Sequence, residues 1–146
     1  MFEKKGSEGF PVKNNNIQSE YTWHFIDAKD QVLGRLCTQA VDLIRGKKDV
    51  KFANNTVSKN KVVIINCKEV KVTGQKEIAK TYYHHSGFPG GIKAINLKDL
   101  REKDATLILK NAIKGMLPKN KLQAIFLQNL YLYNGDEHPH TNIKFN

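Results

Sequence analysis

The sequence predicts an α/β fold in which a mainly parallel sheet packs against helices. The apolar run Trp23–Ile26 is followed by a segment with helical periodicity and then by the β-branched run Val62–Ile65. A continuous run of this kind is typical of a strand that is covered on both faces, as in a parallel sheet. Strands that alternate with helices indicate the α/β class. With 146 residues, the chain is long enough for one domain with its own core.

The first helix is the clearest element in the sequence. Its apolar residues recur at the spacing of one helical face, and they are Leu33, Leu36, Cys37, Ala40, Val41 and Ile44. Gly46 comes directly after this pattern and is predicted to end the helix. Asp27 or Asp30 is the predicted N-terminal cap, because a short carboxylate can accept hydrogen bonds from the free N–H groups of the first turn.

The second half of the chain continues the alternation. The predicted elements are a strand extension or hairpin arm at Glu69–Thr73, a second helix over about 97–117 with a break near Lys103-Asp104, a third helix from Leu122, and a last strand at Tyr131–Tyr133. Pro118 is predicted to end the second helix, because proline cannot continue the helical hydrogen bonds. Asn134-Gly135 is a turn sequence that closes the last strand.

The positive charge lies in the domain and not in the N-terminal segment. The chain has 24 Lys and Arg residues against 14 Asp and Glu residues, a net charge of +10. Residues 1–22 contribute no net charge, since three Lys balance three Glu, and their composition predicts a flexible N-terminal extension before a domain at 23–146. The longest apolar run has four residues, so no membrane span is predicted. Cys37 and Cys67 have no partners at zinc-ligand spacing and are predicted to be buried free thiols.

The common nucleotide-enzyme motifs are missing from the sequence. A P-loop would need an upstream glycine and a hydroxyl residue after Gly46-Lys47, but Lys48 occupies that position. Gly34 stands alone at the start of the first helix, so the dinucleotide fingerprint is missing as well. His138-Pro139-His140 beside Asp136-Glu137 could bind a divalent cation, which makes a metal-dependent hydrolase or nuclease that uses the His-rich loops the alternative function. No cofactor and no small-molecule substrate are predicted.

Three basic clusters favour a nucleic-acid-binding protein instead. The central cluster surrounds Tyr82-Tyr83-His84-His85 with lysines and glycines between Lys68 and Lys93. Lysine binds phosphate, flat rings stack on unpaired bases, and glycine lets the RNA backbone approach closely. The alternative is a solvated basic loop with one of the two tyrosines anchored in the core. The other clusters, where lysines can also complement a helix dipole, are Lys110, Lys114, Lys119 and Lys121, and Arg45, Lys47, Lys48 and Lys51.

Longer motifs give a specific resemblance. They include Leu33-Gly34-Arg35-Leu36, Val72-Thr73-Gly74-Gln75-Lys76, Tyr82-Tyr83-His84-His85-Ser86-Gly87, Pro89-Gly90-Gly91-Ile92-Lys93, Lys114-Gly115-Met116-Leu117-Pro118-Lys119-Asn120 and Tyr133-Asn134-Gly135 with His138-Pro139-His140. In order and spacing the chain closely resembles the large-subunit ribosomal protein thirteen family, in its bacterial and organellar branch, over about residues 22–140.

The resemblance implies a fold and a function. The fold is a three-layer α/β/α sandwich with a parallel four-stranded sheet. The function is that of a non-catalytic constituent of the large ribosomal subunit, which binds large-subunit ribosomal RNA and supports early subunit assembly and translation. Neighbouring large-subunit ribosomal proteins are implied as further partners, and the bacterial cytoplasm is implied rather than an organelle matrix.

The matching motifs also imply which residues contact the RNA. They are Lys47, Lys48, Thr73, Gly74, Lys76, Tyr82, Tyr83, His84, His85, Gly87, Gly90, Gly91, Lys93, Lys114, Lys119 and His138. The chain departs from the family pattern in two places. Residues Phe52–Asn60 replace a Thr-Pro-His-like stretch and a Gly-Asp, and Leu122-Gln123-Ala124 replaces Leu-Gly-Arg, so no RNA contact is carried over to either place.

Overall fold

The computed structural model describes residues 21–50, 52–143 and 145. In chain order the elements are β1 (Thr22–Asp27), α1 (Leu33–Arg45), β2 (Asn60–Ile65), α2 (Lys76–Ala79), β3 (Thr81–His85), β4 (Ile92–Asn96), α3 (Leu97–Met116), α4 (Leu122–Gln128) and β5 (Leu130–Leu132). Residues 1–20 of the predicted extension lie outside the described residues, whereas Thr22 begins β1. None of the described helices is long and apolar enough to cross a membrane.

β2 is the central strand of a parallel sheet with the strand order β1, β2, β5. In this sheet Phe25 and Tyr131 lie on either side of Val63. The whole run Val62–Ile65 is buried, which confirms the prediction of a strand that is covered on both faces. The mixed α/β class and the mainly parallel sheet are therefore as predicted.

The two faces of the sheet have different coverings. Val62 and Ile64 belong to a core cluster with buried residues of α1, α3 and α4. Val63 and Ile65 face the other way, where they meet Trp23 and partly buried aromatic residues from β5 and the C-terminal segment. We name this second cluster the aromatic face. Side chains alternate along a strand, so a single strand supplies both clusters.

This arrangement differs from the implied three-layer sandwich with four parallel strands. Within the described residues the parallel sheet has three strands, and one isolated bridge between Trp23 and Phe145 extends its β1 edge. Among residues 21–50, 52–143 and 145, side chains of the aromatic face, and not a layer of helices, cover the second face of the sheet. The physical reason is that bulky rings at alternate positions already keep water from Val63 and Ile65.

α1 has the predicted extent, but the predicted cap is wrong. Val32 is the N-cap residue and makes no side-chain capping bond. The N–H group of Leu33 instead donates to the carbonyl of Lys71 at 2.9 Å. Asp27 accepts from the nearby N–H group of Lys29 at 2.9 Å, and Asp30 pairs with the Lys71 ammonium at 2.9 Å. A backbone carbonyl from another segment thus accepts a hydrogen bond from the first turn of the helix, as a capping side chain would.

The predicted strand extension at Glu69–Thr73 is reduced to one backbone bridge. A short 3₁₀ turn over Cys67–Glu69 precedes it, and Lys71 then pairs in parallel with Val32. The segment forms no hairpin arm, because its single pairing partner is the N-cap residue of α1.

α3 has the predicted break. Asp104 adopts extended dihedral angles (φ −160°, ψ 102°) inside the helix, and its carboxylate accepts from the N–H group of Thr106 at 3.0 Å and from the Thr106 hydroxyl at 2.8 Å. Asp104 therefore caps the second half of the helix. Burial raises the pKa of Asp104, but the hydrogen bonds from Thr106 and Asn134 outweigh it, so the net pKa lies below its usual value.

Both cysteines are buried free thiols, as predicted. Burial raises the pKa of Cys37 to about 11 and that of Cys67 to about 12. At neutral pH both remain protonated and serve as small apolar packing residues.

Gly46 is expected to tolerate no side chain. It ends α1 with a φ of +67°, and an added Cβ would lie 2.6 Å from Asp49 Oδ2 and 2.7 Å from Ser58 Cβ. Gly46→Ala should therefore lower the free energy of unfolding by about 1–3 kcal/mol, measured by urea denaturation. The matched control is Gly34→Ala in the same helix, where a Cβ meets nothing within 4 Å. It should be neutral or stabilising, and equal stability of the two variants would contradict this account.

Candidate nucleic-acid interface

The central basic cluster folds into a β-hairpin. β3 and β4 pair antiparallel, with His84 opposite Lys93 and Tyr83 opposite Ala94. The glycines of the connecting loop adopt positive φ angles at Gly87 and Gly90, and the N–H group of Gly91 donates to the carbonyl of Phe88 at 2.9 Å. The loop thus forms a tight turn that keeps the hairpin narrow at its tip.

The base of the hairpin is anchored on α3. Tyr82 and Ile95 lie opposite each other in the hairpin, and both pack against the buried residues Leu97, Leu100 and Ile108. Burial raises the pKa of Tyr82, and the Lys80 ammonium lies 5.1 Å from the centre of its ring. Tyr82 is therefore the inward-facing tyrosine of the pair.

Beyond this anchor the hairpin side chains are exposed. Tyr83 is 70% exposed, and Phe88 at the tip is 75% exposed. His84, His85 and Lys93 are exposed as well. We name these five residues the hairpin surface. His84 and Lys93 place a ring and a positive charge on one face of the hairpin, and Tyr83 and His85 place rings on the other. Rings and positive charge are the combination that suits unpaired bases and phosphates.

A groove of about 690 Å³ runs between the hairpin and α3. Tyr83, His84 and Lys93 line it from the hairpin, and Lys103 lines it from α3. Asp99 is the acidic residue of this lining, so the groove has a positive balance.

Thr73 and Gly74 lie beside the base of the hairpin, on the segment that leads into α2, and Lys76 is the first residue of α2. Thr73 and Lys76 line a second, mostly apolar cleft of about 530 Å³, which Met116 at the end of α3 also lines. The sulfur of Met116 lies 4.0 Å from the hydroxyl of Thr38 in α1. This cleft, named the apolar cleft below, thus connects the hairpin base with α1 and with the end of α3.

The second basic cluster lies at the end of α3 and in the turn before α4. Lys110, Lys114, Lys119 and Lys121 are exposed, and none forms an ion pair with another described residue. Gln123, where the family pattern has glycine, donates to the carbonyl of Lys114 at 2.9 Å. This bond holds α4 against the end of α3, so the departure at this place has a structural role.

The third cluster is partly neutralised within the protein. Lys47 pairs with Asp42 at 2.7 Å. Arg45 donates to Asn54 at 3.0 Å and lies 5.6 Å from the centre of the Phe52 ring. Lys48 is exposed and forms no ion pair with a described residue, whereas Lys51 lies outside the described residues. Lys48 is therefore the side chain of this cluster that is most available to a phosphate.

His138 is placed apart from the other predicted contacts. It belongs to the aromatic face, where its ring lies 5.7 Å from Phe25 and 6.1 Å from Tyr133. Its Nδ1 accepts from the N–H group of His140 at 3.2 Å. The structure brings the hairpin residues together, but it places His138 on the opposite face of the sheet from α1 and α3.

No metal site accompanies these histidines in the part of the chain that the structure describes. It contains no group of three or more His, Cys, Asp or Glu side chains that could hold a metal ion. His140 Nε2 lies 3.0 Å from the Tyr133 hydroxyl, so this ring nitrogen already has a hydrogen-bond partner within the protein. The His-Pro-His motif therefore packs as part of the aromatic face.

Sequence reasoning missed two residues of this interface. Phe88 is exposed at the hairpin tip, and Met116 lines the apolar cleft. A signal existed for Phe88, because an aromatic residue between Gly87 and Pro89 has no neighbouring apolar residues to form a core. The position of Met116 depends on the meeting of α1 with α3, which has no local signal.

Comparison with known proteins gives a consistent result over most of the chain. The sequence profile of the family described as Ribosomal protein L13 matches residues 21–139. The chain is 50% identical over 131 residues to the large ribosomal subunit protein uL13 of Kocuria rhizophila, which covers 90% of this chain and 88% of that protein. It is 45% identical over 126 residues to the protein of the same name from Mycoplasmopsis synoviae, covering 86% of this chain and 88% of that protein. The Wigglesworthia glossinidia brevipalpis protein of that name is 39% identical over 131 residues, or 90% of this chain and 91% of its own length.

Protonation of His140 is expected to destabilise the aromatic face. The ring packs 5.0 Å from Trp23 and 4.9 Å from Tyr131, and burial, together with His138 and Lys61, lowers the pKa of His140 below 6.5. Because the unfolded chain then binds the proton more readily, this contribution to stability is complete above about pH 6.5 and decreases as the pH falls below it. Urea denaturation at pH 7.5 and 5.5 should show a smaller loss for His140→Phe than for the wild type.

The matched control for this measurement is His84→Gln, because His84 is exposed on the hairpin. This variant should show the same pH dependence as the wild type. An equal loss of stability in His140→Phe and the wild type would contradict the role assigned to His140.

Proposed function

The chain belongs to the ribosomal protein L13 family, whose members are structural, non-enzymatic constituents of the large ribosomal subunit, and on this basis we propose that it binds large-subunit ribosomal RNA through the hairpin surface. The two other basic clusters extend the contact along α3 and α1. In the assembled subunit this binding supports early folding of the RNA and, through it, translation.

The exposed hairpin carries this proposal. Tyr83 and Phe88 are large apolar side chains that water surrounds in the isolated protein, and a stable monomer gains nothing from this arrangement. Unpaired bases can cover the rings by stacking, while Lys93 meets the adjacent phosphate. The pairing of His84 with Lys93 across the strands keeps both groups at a fixed spacing, so the surface is formed before RNA arrives.

The remaining predicted residues differ in how they would contact RNA. Gly87, Gly90 and Gly91 let the RNA backbone approach the hairpin tip, and Thr73, Gly74 and Lys76 contact RNA at the hairpin base. Lys114, Lys119 and Lys48 bind phosphates on the adjoining surface, and Lys47 contributes less because Asp42 already pairs with it. His138 contacts RNA from the opposite side of the sheet, so RNA must reach both faces for that contact to form.

Further partners and location follow from the same proposal. Neighbouring large-subunit proteins contact this chain where RNA leaves its surface free. The domain runs to residue 146 from Tyr21 and Thr22, which pack on the aromatic face and begin β1, and so starts slightly before the predicted residue 23, with the preceding residues as an extension from it. The relatives come from bacteria, which supports the bacterial cytoplasm over an organelle matrix. A metal-dependent hydrolase is not proposed, because the family is structural and non-enzymatic and the His-Pro-His motif is engaged in packing.

Charge reversal on the hairpin should weaken RNA binding in a salt-dependent way. Each neutralised phosphate contributes a slope of about 0.7–0.9 to the fall of log K with log salt concentration. Lys93→Glu should therefore lower the affinity for large-subunit ribosomal RNA and reduce this slope by about 1, and adding Lys76→Glu should reduce it again. Filter binding at several salt concentrations measures both quantities.

The matched control is Lys29→Glu, which changes the net charge by the same amount. Lys29 lies outside the three clusters and forms an exposed pair with Glu69 at 3.6 Å. Its affinity should fall only slightly and its slope should stay close to that of the wild type. Equal losses for Lys29→Glu and Lys93→Glu would mean that net charge alone, and not the hairpin surface, determines the binding.

A further inference from the structure

The apolar cleft has the size and the lining of a ligand site. It lies between the start of α1, the segment Val72–Lys80 and the end of α3, with a volume of about 530 Å³. Sites for small ligands are typically clefts of roughly 300–1,000 Å³ with apolar walls and a few polar groups. We propose that this cleft holds one unpaired nucleotide of the bound RNA, with its base between the apolar walls and its phosphate at the rim. The proposal rests on the RNA-binding function of the hairpin surface.

The walls of the cleft suit a flat ring. Leu33 and Val72 line the cleft from α1 and from the segment before α2, and Ala112 and Met116 line it from α3. Met116 is 44% exposed, and its flexible thioether makes favourable contacts with aromatic rings. An added Cβ on Gly34 would meet no atom within 4 Å, so the space in front of α1 is open to a base.

The rim of the cleft suits a phosphate. Of the described residues that line the cleft, Lys76 and Lys80 are the charged ones, and none is a carboxylate. The N–H group of Lys80 donates to the carbonyl of Lys76 at 3.0 Å, so the two residues lie one helical turn apart. Neither ammonium forms an ion pair with a described residue. The cleft therefore combines uncharged walls with a purely positive rim, which complements a nucleotide.

Polar side chains at the cleft can recognise the edge of a base. The hydroxyl of Thr73 and the amide of Gln75 line it, and neither side chain is engaged in a hydrogen bond with another described residue. Together they offer both donors and acceptors. An acidic peptide would satisfy the lysines but would leave these groups and the flat apolar walls without a matching partner, so the nucleotide is favoured.

The position of the cleft connects it to the rest of the interface. The carbonyl of Lys80 accepts from the N–H group of Leu97 at 2.9 Å, at the base of the hairpin. Met116, two residues after Lys114, lines the cleft from α3. An RNA strand that passes from the hairpin surface to the end of α3 therefore crosses the mouth of the cleft.

The test uses the full chain and large-subunit ribosomal RNA transcribed from the genome that encodes it. Ultraviolet crosslinking, nuclease digestion and mass spectrometry locate the peptides that carry a nucleotide. In the wild type an adduct of one nucleotide is expected within residues 72–80 or 112–116. Gly34→Trp fills the cleft from α1, and Met116→Trp fills it from α3 without removing a charge. Each should abolish this adduct and lower the affinity by about 5- to 150-fold, the effect of one stacked base.

Gly34→Ala is the matched control, since its Cβ would meet no atom within 4 Å, and it should keep both the adduct and the affinity. Circular dichroism establishes which variants fold. If Gly34→Trp does not fold, the result for Met116→Trp alone tests the proposal. Unchanged binding by a folded tryptophan variant would overturn the proposal, as would wild-type adducts on the hairpin peptides without any at the cleft. In both cases the RNA-binding function would stand. Failure of the wild type to bind the RNA or to form any adduct would overturn both the function and the cleft.

Discussion

The fold depends on the burial of β2 on both faces. The helices bury Val62 and Ile64, and the aromatic face buries Val63 and Ile65. One strand is therefore buried by two separate groups of side chains. Burying these side chains contributes about 1.5–3 kcal/mol each. α1, α3 and the C-terminal segment all cover β2. The β3–β4 hairpin therefore projects from the start of α3, and Tyr82 and Ile95 anchor its base there.

Those parts of the fold that rest on local patterns could be predicted from the sequence. The helical face of α1, the β-branched run of β2 and the break at Asp104 each have a signal within a few residues. The cap of α1 had a plausible local signal at Asp27 and Asp30, but a distant backbone carbonyl, that of Lys71, took its place. The strands β3 and β4 were missed, because their sequences are polar and aromatic and pack on α3 at the hairpin base alone.

The chemistry of the interface was predictable, but its geometry was not. The residue types between Lys68 and Lys93 indicated nucleic acid, and the structure gathers the ring and charge groups on one hairpin. Sequence could not separate the inward Tyr82 from the exposed Tyr83, since that depends on which strand face meets Leu97 and Leu100. Nor could it show that Lys47 is paired with Asp42 or that His138 lies on the aromatic face.

The central claim is that this chain is held in the large ribosomal subunit by its contacts with RNA. Sucrose-gradient sedimentation of a native lysate, in moderate and in high salt and with the protein detected by mass spectrometry, tests this claim most directly. The protein should migrate with large subunits and their RNA at both salt concentrations. Recovery only in the light fractions, from cells whose ribosomes are intact, would contradict it.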